Sequence, residues 1–155
     1  MRIGQGIDTH QLAEGIPLII GGVTIPYPRG SKGHSDGDPL LHALVDALLG
    51  AIAEGDIGTH FPSSDPRWKV ANSRIFITHA MSLVKSRGFS VVNADCTVLL
   101  QQPALKPYIP EMREIIAGFL NVDTTRISVK ATTTDHLGFI GRGEGIAAMV
   151  SVALE

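Results

Sequence analysis

The sequence is short of cysteine, aromatic residues and charge, and each shortage removes a class of protein. A single cysteine, Cys96, among 155 residues leaves no partner for an internal disulfide. Packing must hold the fold together, and a reducing compartment is expected. Charged residues make up 18% and the net charge is −2. Neither nucleic acid nor a membrane surface is therefore expected as a partner. No apolar run approaches the roughly 18 residues of a membrane span, and the opening MRIGQGIDTH has no continuous apolar segment of the secretory type. A Rossmann G-x-G-x-x-G fingerprint, a Walker A loop and a G-x-S-x-G nucleophile elbow are all missing. Internal repeats and low-complexity tracts are absent too.

Apolar residues are plentiful, at 44%. A chain of this size buries a core unaided, so residues 1–155 are read as one domain. Low charge favours an oligomer, and a soluble, cytoplasmic protein is expected.

The pattern of elements is mixed. RIGQGID and PLIIGGVTIPY read as strands, the second folding back at Gly21-Gly22. Asp38 and Pro39 supply a cap and a first helical residue for PLLHALVDALL, with Gly50 as its stop. AEGDIGTHFPSSDPRW has many turn formers and no period, and reads as a long functional loop. A second helix is expected from about Asn72 to Arg87, stopped by Gly88, and a third opens at Pro110. Residues 89–100 alternate as a strand with Val92, Ala94, Cys96, Val98 and Leu100 on one face. RISVKATTT and GIAAMVSVAL complete the set as two further strands. The economical packing is an α+β (mixed α/β) sandwich, a sheet against helices.

Several polar residues stand out from this frame. In an extended GIDTHQL segment, Gly4, Gly6, Asp8 and His10 share one face, as if room were cleared for something to bind. His42 lies in a stripe with Asp38 and Asp46 on the first helix. Two imidazoles and a carboxylate make a three-ligand divalent site with an open position. The same residues are also explained by hydrogen bonds at a strand end and a surface His42–Asp46 pair, and sequence order does not choose. GHSDGD places His34 and Ser35 beside a helix N-terminus suited to an anion, although a turn and a cap account for most of it. KATTTD offers a lysine, three hydroxyls and Asp135 for phosphate and Mg²⁺, yet threonine is common in strands. Arg142 could bind an anion or pair with Glu144. Cys96 reads as core.

Seven stretches in order, GIDTH, IIGGVTIPY, GHSDGD, LLHALVDALLGA, GDIGTHFPSSDP, KATTTDHLGF and GRGEGI, closely resemble the 2-C-methyl-D-erythritol 2,4-cyclodiphosphate synthase family over nearly the whole chain. The resemblance implies a homotrimer with active sites at subunit interfaces and an apolar axial cavity able to take an isoprenoid diphosphate. It implies cyclisation of a cytidine diphosphate substrate with loss of CMP. Asp8, His10 and His42 would hold Zn²⁺ (or another divalent ion), and Asp135 would hold Mg²⁺ or Mn²⁺ with the diphosphate. His34 and Thr133 would stabilise the transition state, with Ser35 beside them. Asp56, Ile57, Gly58, Phe61, Ser63 and Asp65 would line the substrate pocket. Leu100, Pro103, Lys106, Thr132, Thr133, Thr134 and Asp135 would hold the cytidine diphosphate from a neighbouring subunit, with Phe139 and Arg142 as further contacts.

The chain departs from the family pattern at three positions: Asp135 stands where glutamate is common, Ser63 where aspartate is frequent, and Ala104 where lysine is frequent. Two other readings use the same residues: a nucleotide-sensing protein with a structural metal, for which His60 is the candidate fourth ligand, and a zinc phosphohydrolase. A fourth protein ligand separates the first from a cyclase, and ring closure of the product separates the second.

Overall fold

The computed structural model describes residues 1–33 and 35–155. Two strands from opposite ends of the chain, β1 (Arg2–Glu14) and β7 (Gly145–Leu154), pair antiparallel from Arg2↔Leu154 to Gln11↔Gly145. A hairpin of β2 (Leu18–Ile20) and β3 (Val23–Ile25) follows β1, and β4 (Arg29–Lys32) returns along the far end of β1. β5 (Val91–Leu99) adds to the other side of β7 antiparallel, and β6 (Ile127–Thr132) joins β5 in parallel. The sheet order is β4-β1-β7-β5-β6.

Three long helices cover one face: α1 (Pro39–Ala51), α3 (Ser73–Ser86) and α4 (Ile109–Leu120). Apolar on almost every side, α1 is the buried helix, as an all-round apolar pattern requires; only Asp46 and Gly50 escape full burial. It lies over β1 and β7 and under α3. Asp38 caps it, accepting from the backbone N–H of Leu40 and Leu41 while also receiving Gly21 and Gly22 of the β2–β3 turn. One fully buried carboxylate thus ties the hairpin to the helix start.

The approach of α1 to β1 is set by glycine. A β-carbon on Gly4 or Gly6 would collide with the backbone of Ala47 or Ala43. The space that the two glycines leave on the Asp8–His10 face is therefore filled by α1 itself, not held open for a ligand. This corrects the expectation drawn from the alternation.

Four boundaries differ from the sequence reading. Gly50 lies inside α1; the helix runs one residue further, to Ala51, and is closed where Glu54 N–H reaches Leu49 O and Ala53 N–H reaches Gly50 O, with Ala53 at φ 58°. The long loop contains a four-residue helix, α2 (Ile57–His60), and a 3₁₀ turn at Pro66–Trp68. A bulge between Val91 and Asn93 turns Val91, rather than Val92, into the core. β6 stops at Thr132, so Thr133 and Thr134 lie beyond the sheet, and the short α5 (Gly138–Gly141) precedes β7. The remaining expectations for hairpin, caps and strands hold.

No layer covers the second face of the sheet among the described residues, and Ile3, Ile7 and Met149 stand 74%, 58% and 39% exposed there. No described helix is long and apolar enough to cross a membrane.

Candidate metal centre and clefts

Register places Asp8 and His10 on the helix-facing side of β1, just past the two glycines. α1, seated on those glycines, brings His42 over them. Asp8 Oδ2 lies 2.7 Å from His10 Nε2 and 3.0 Å from His42 Nδ1, and the two imidazole nitrogens are 3.3 Å apart. Ligands about 2.0–2.1 Å from a tetrahedral Zn²⁺ are spaced by about 3.4 Å, so the three atoms are gathered on the scale of one coordination sphere. They form the one such group among the described residues.

One outer partner fixes a tautomer and the other aims a ring. His10 Nδ1–H can only donate to Lys32 O, 2.9 Å away, which leaves Nε2 as the lone-pair atom facing Asp8. His42 Nε2 meets Ser35 Oγ at 2.8 Å, which leaves Nδ1 facing inward. Such orientation by second partners is how metal-binding histidines are normally aimed. The donor chemistry and the aim of the rings fit a divalent ion. Without one, burial raises the Asp8 carboxyl, but hydrogen bonds from both histidines overcome it and hold the group well below the usual carboxylate range. Burial lowers the His10 imidazole, and its Asp8 partner more than reverses this, for a net rise.

Ser35 is fixed through its neighbour. Asp36 takes the Ser73 N–H at 2.8 Å and the Ser73 hydroxyl, and its own N–H donates to Ala71 O at 3.1 Å. Sequence reasoning saw Asp36 as a turn residue; its grip on the first turn of α3 has no short-range sequence signal.

A cleft of about 210 Å³ opens beside the cluster. His10, Ser35, His42, Ile57, Gly58, Phe61, Ser63 and Asp65 line it, joined by Trp68, Lys69 and Phe76, which sequence reasoning did not place there. Asp56 is not among the lining residues; it caps α2, its carboxylate held down by the Thr59 hydroxyl and N–H. Asp65 engages Arg67. Asp46 of α1 receives the Ile57 N–H at 2.7 Å and so docks the start of α2. The His42–Asp46 pairing is replaced by these contacts. His60 is no fourth ligand: its ring binds Glu54 O and His79.

A second cleft, of about 810 Å³, brings Leu100, Pro103, Lys106, Thr132 and Thr133 together with Tyr27 and Lys130. Leu100 N–H donates to Thr132 O at 3.0 Å, which joins its two segments. Among the described residues the two clefts have no lining residue in common. Thr134, Asp135, Phe139 and Arg142 line neither. Thr134 Oγ1 donates to Leu137 O, Asp135 sits at φ 53° in the turn after β6, and Arg142 pairs with Glu144 at 2.8 Å on the surface. His34 lies outside the described residues. Cys96 is buried in the core, and burial pushes its thiol up to about 12.

Comparison with known proteins places the chain in a family. The YgbB family model matches residues 1–155. A 2-C-methyl-D-erythritol 2,4-cyclodiphosphate synthase of Geobacillus kaustophilus is 59% identical over 154 residues, covering 99% of this chain and 98% of that protein. A solved structure described as the bifunctional IspDF from Campylobacter jejuni superposes with TM-score 0.95 at 46% identity, over 99% of this chain and 42% of that one. A 2C-methyl-D-erythritol-2,4-cyclodiphosphate synthase in its CDP-bound form gives TM-score 0.92 at 38% identity, over 99% of this chain and all of that one.

Proposed function

The chain belongs to the YgbB family, and on that footing we propose that it converts 4-diphosphocytidyl-2-C-methyl-D-erythritol 2-phosphate to 2-C-methyl-D-erythritol 2,4-cyclodiphosphate with release of CMP, a phosphorus–oxygen lyase step of non-mevalonate isoprenoid biosynthesis. The observation that carries this reading is the convergence of Asp8 Oδ2, His10 Nε2 and His42 Nδ1 at the mouth of a cleft. Three protein ligands leave a position for a phosphate oxygen.

The chemistry asks little of a protein base. The substrate's 2-phosphate has a second pKa of about 6 and is largely dianionic near neutrality. One of its oxygens bonds to the diphosphate phosphorus attached to the erythritol oxygen; the phosphoanhydride bond breaks, and CMP departs with the bridging oxygen. The obstacle is bringing one phosphate anion onto another. A divalent ion held by Asp8, His10 and His42, and a Mg²⁺ or Mn²⁺ held by Asp135, would supply the positive charge that this approach needs. Ser35 orients His42 and stands in the cleft to donate to phosphate. Thr133 and His34 are assigned donor roles at the transferring phosphoryl group, and Thr132, Thr134 and Lys106 hold the diphosphate and cytidine. Ile57, Gly58, Phe61, Ser63 and Asp65 wall the methylerythritol end, with Asp56, Phe139 and Arg142 as peripheral contacts.

The working form is a homotrimer of single-domain, cytoplasmic subunits. The uncovered sheet face with Ile3, Ile7 and Met149 supports that assembly, since a large exposed apolar face marks an interface. So does the separation of the two clefts: each active site joins the metal cleft of one copy to the Thr132 cleft of the next. An isoprenoid diphosphate fits an apolar cavity enclosed by the three joined faces.

The test is ³¹P NMR of purified protein with substrate, Zn²⁺ and Mg²⁺. CMP together with a cyclic diphosphate is expected. Linear phosphate products would make the protein a hydrolase, and an unchanged spectrum from folded, metal-loaded protein would leave a nucleotide-binding role.

A further inference from the structure

A second pair of histidines stands apart from the metal cluster. His60 ends α2 and His79 lies in α3, with His79 Nε2 3.0 Å from His60 Nδ1. The other ring nitrogen of His60, Nε2, is 2.8 Å from Glu54 O. A carbonyl can only accept, so Nε2 carries the His60 proton and the neutral ring presents a bare Nδ1 to His79. The result is a directed chain, His79 to His60 to Glu54.

The chain holds an element that has little else. α2 is four residues long and buries none of them, and one helical turn does not sustain itself. Asp46 fixes its start through Ile57 N–H. Its end is fixed by the histidine pair and by Phe61, whose ring meets His79 edge-on at 5.1 Å and Phe76 at 4.6 Å. Phe76 also lies 6.0 Å from the His42 ring. Ile57, Gly58 and Phe61 are the wall of the metal cleft.

We propose that His60 and His79 are positioning residues: their hydrogen bond clamps α2 to α3 and so holds the cleft wall at the height the substrate requires. The inference rests on the cleft being the substrate site.

The clamp has a defined response to protons. One added proton leaves a hydrogen shared between the facing nitrogens, because the pair can shift tautomers around it. Two added protons set N–H against N–H and open it. The charged group that acts on the pair is Asp56 at the α2 cap, while the nearby Glu54 carboxylate is taken by Arg87 just past α3. Burial and the charge of His60 lower the His79 imidazole and oppose the second proton. The clamp is closed at neutral pH and opens on acidification.

The experiment compares wild type, His79→Phe and His79→Gln as full-length, metal-loaded protein between about pH 5 and 8. His79→Phe keeps a ring against Phe61 but has no donor, whereas the Gln amide restores one. His79→Phe should raise KM about 3- to 10-fold, the scale of one neutral hydrogen bond, with kcat nearly unchanged, and His79→Gln should recover most of it. Trp68 is the sole tryptophan and its ring meets Phe61 at 4.9 Å, so its emission reports the clamp without reference to turnover. Wild type should show an acid transition in Trp68 emission that tracks a rise in KM, and His79→Phe should lack both. A wild-type KM and emission profile in His79→Phe overturns the proposal, as does a loss confined to kcat or a failure of His79→Gln to rescue. If His79→Phe does not fold, His79→Gln decides: it should lose the acid transition while keeping near-wild-type KM, and retention of the transition overturns the clamp. Absence of cyclic product from wild type would refute the assigned reaction, and the Trp68 titration would still decide the clamp.

Discussion

Gly6 lies directly against the carbonyl oxygen of Ala43, with no room for a β-carbon between strand and helix. Gly4 bears the same relation to Ala47. These two contacts fix how low α1 sits on β1, and His42, the residue before Ala43, meets Asp8 and His10 at that height. The metal site is a consequence of two missing side chains.

Gly6→Ala is therefore expected to act on both stability and chemistry. Forcing a methyl group into this contact should cost about 1–3 kcal/mol, read as a lowered denaturation midpoint. Zn²⁺ affinity should fall about 10–100-fold, as when an orienting contact is lost. Unchanged affinity by chelator competition would show that α1 can rise without moving His42.

Ser35→Ala separates the metal from the fold. Ser35 is only half-buried and its hydroxyl partners His42 Nε2. The variant should keep the wild-type melting temperature within about a degree yet lose about 10–100-fold in metal affinity. Full metal affinity by isothermal titration would mean that His42 needs no such partner.

Acid and base should act in opposite directions on the metal-free and metal-bound protein. Asp8 has a folded pKa below its unfolded value, so its contribution is present above about pH 4 and lost as pH falls toward the folded value. His10 has a folded pKa above its unfolded value, so its contribution is complete below about pH 6.5 and lost as pH rises through the folded value. The metal-free pair thus stabilises most between about pH 4 and 6.5. Ligation takes neutral imidazoles, so the rise in melting temperature on adding Zn²⁺ should grow from about pH 5.5 to about pH 7.5. A rise that shrinks over that range would place the ion elsewhere.

Ile7→Asp tests the uncovered sheet face. Ile7 is paired with Met149 across β1 and β7 on that face. A carboxylate there should convert the proposed trimer to monomers in sedimentation velocity, abolish cyclisation and leave Zn²⁺ binding intact. A trimer that persists would move the interface to another surface.

Much of this architecture was legible because local signals agreed. Asp38-Pro39 announced α1, Gly21-Gly22 at φ 60° and 79° made the hairpin turn, and Gly88 at φ 78° closed α3. Gly50 misled because the left-handed residue that ends α1 is Ala53, held by the bonds to Leu49 and Gly50. The bulge at Val91/Asn93 was invisible to strict alternation, which has no term for an extra residue. At the site, Asp8 and His10 were legible as neighbours on one strand, whereas the arrival of His42 depended on what Gly4 and Gly6 were for. Lys32 O, Asp46, Trp68, Lys69 and Phe76 were missed for one reason. Their roles come from tertiary approach, by a backbone oxygen, a distant N–H or a neighbouring helix, and leave no spacing to read.

The two clefts, which share no lining residue among the described residues, carry a consequence for mixed assemblies. In the proposed trimer, a subunit with a ruined metal cleft still lends its intact Thr132 cleft to a neighbour. Asp8→Asn and Thr133→Ala subunits, each inert alone, should therefore complement when co-assembled. Any ring containing both kinds has one metal cleft and one nucleotide cleft, both intact, meeting at a single boundary, so equal mixing should restore about a quarter of the wild-type sites. Two recessive defects would rescue each other inside one molecule.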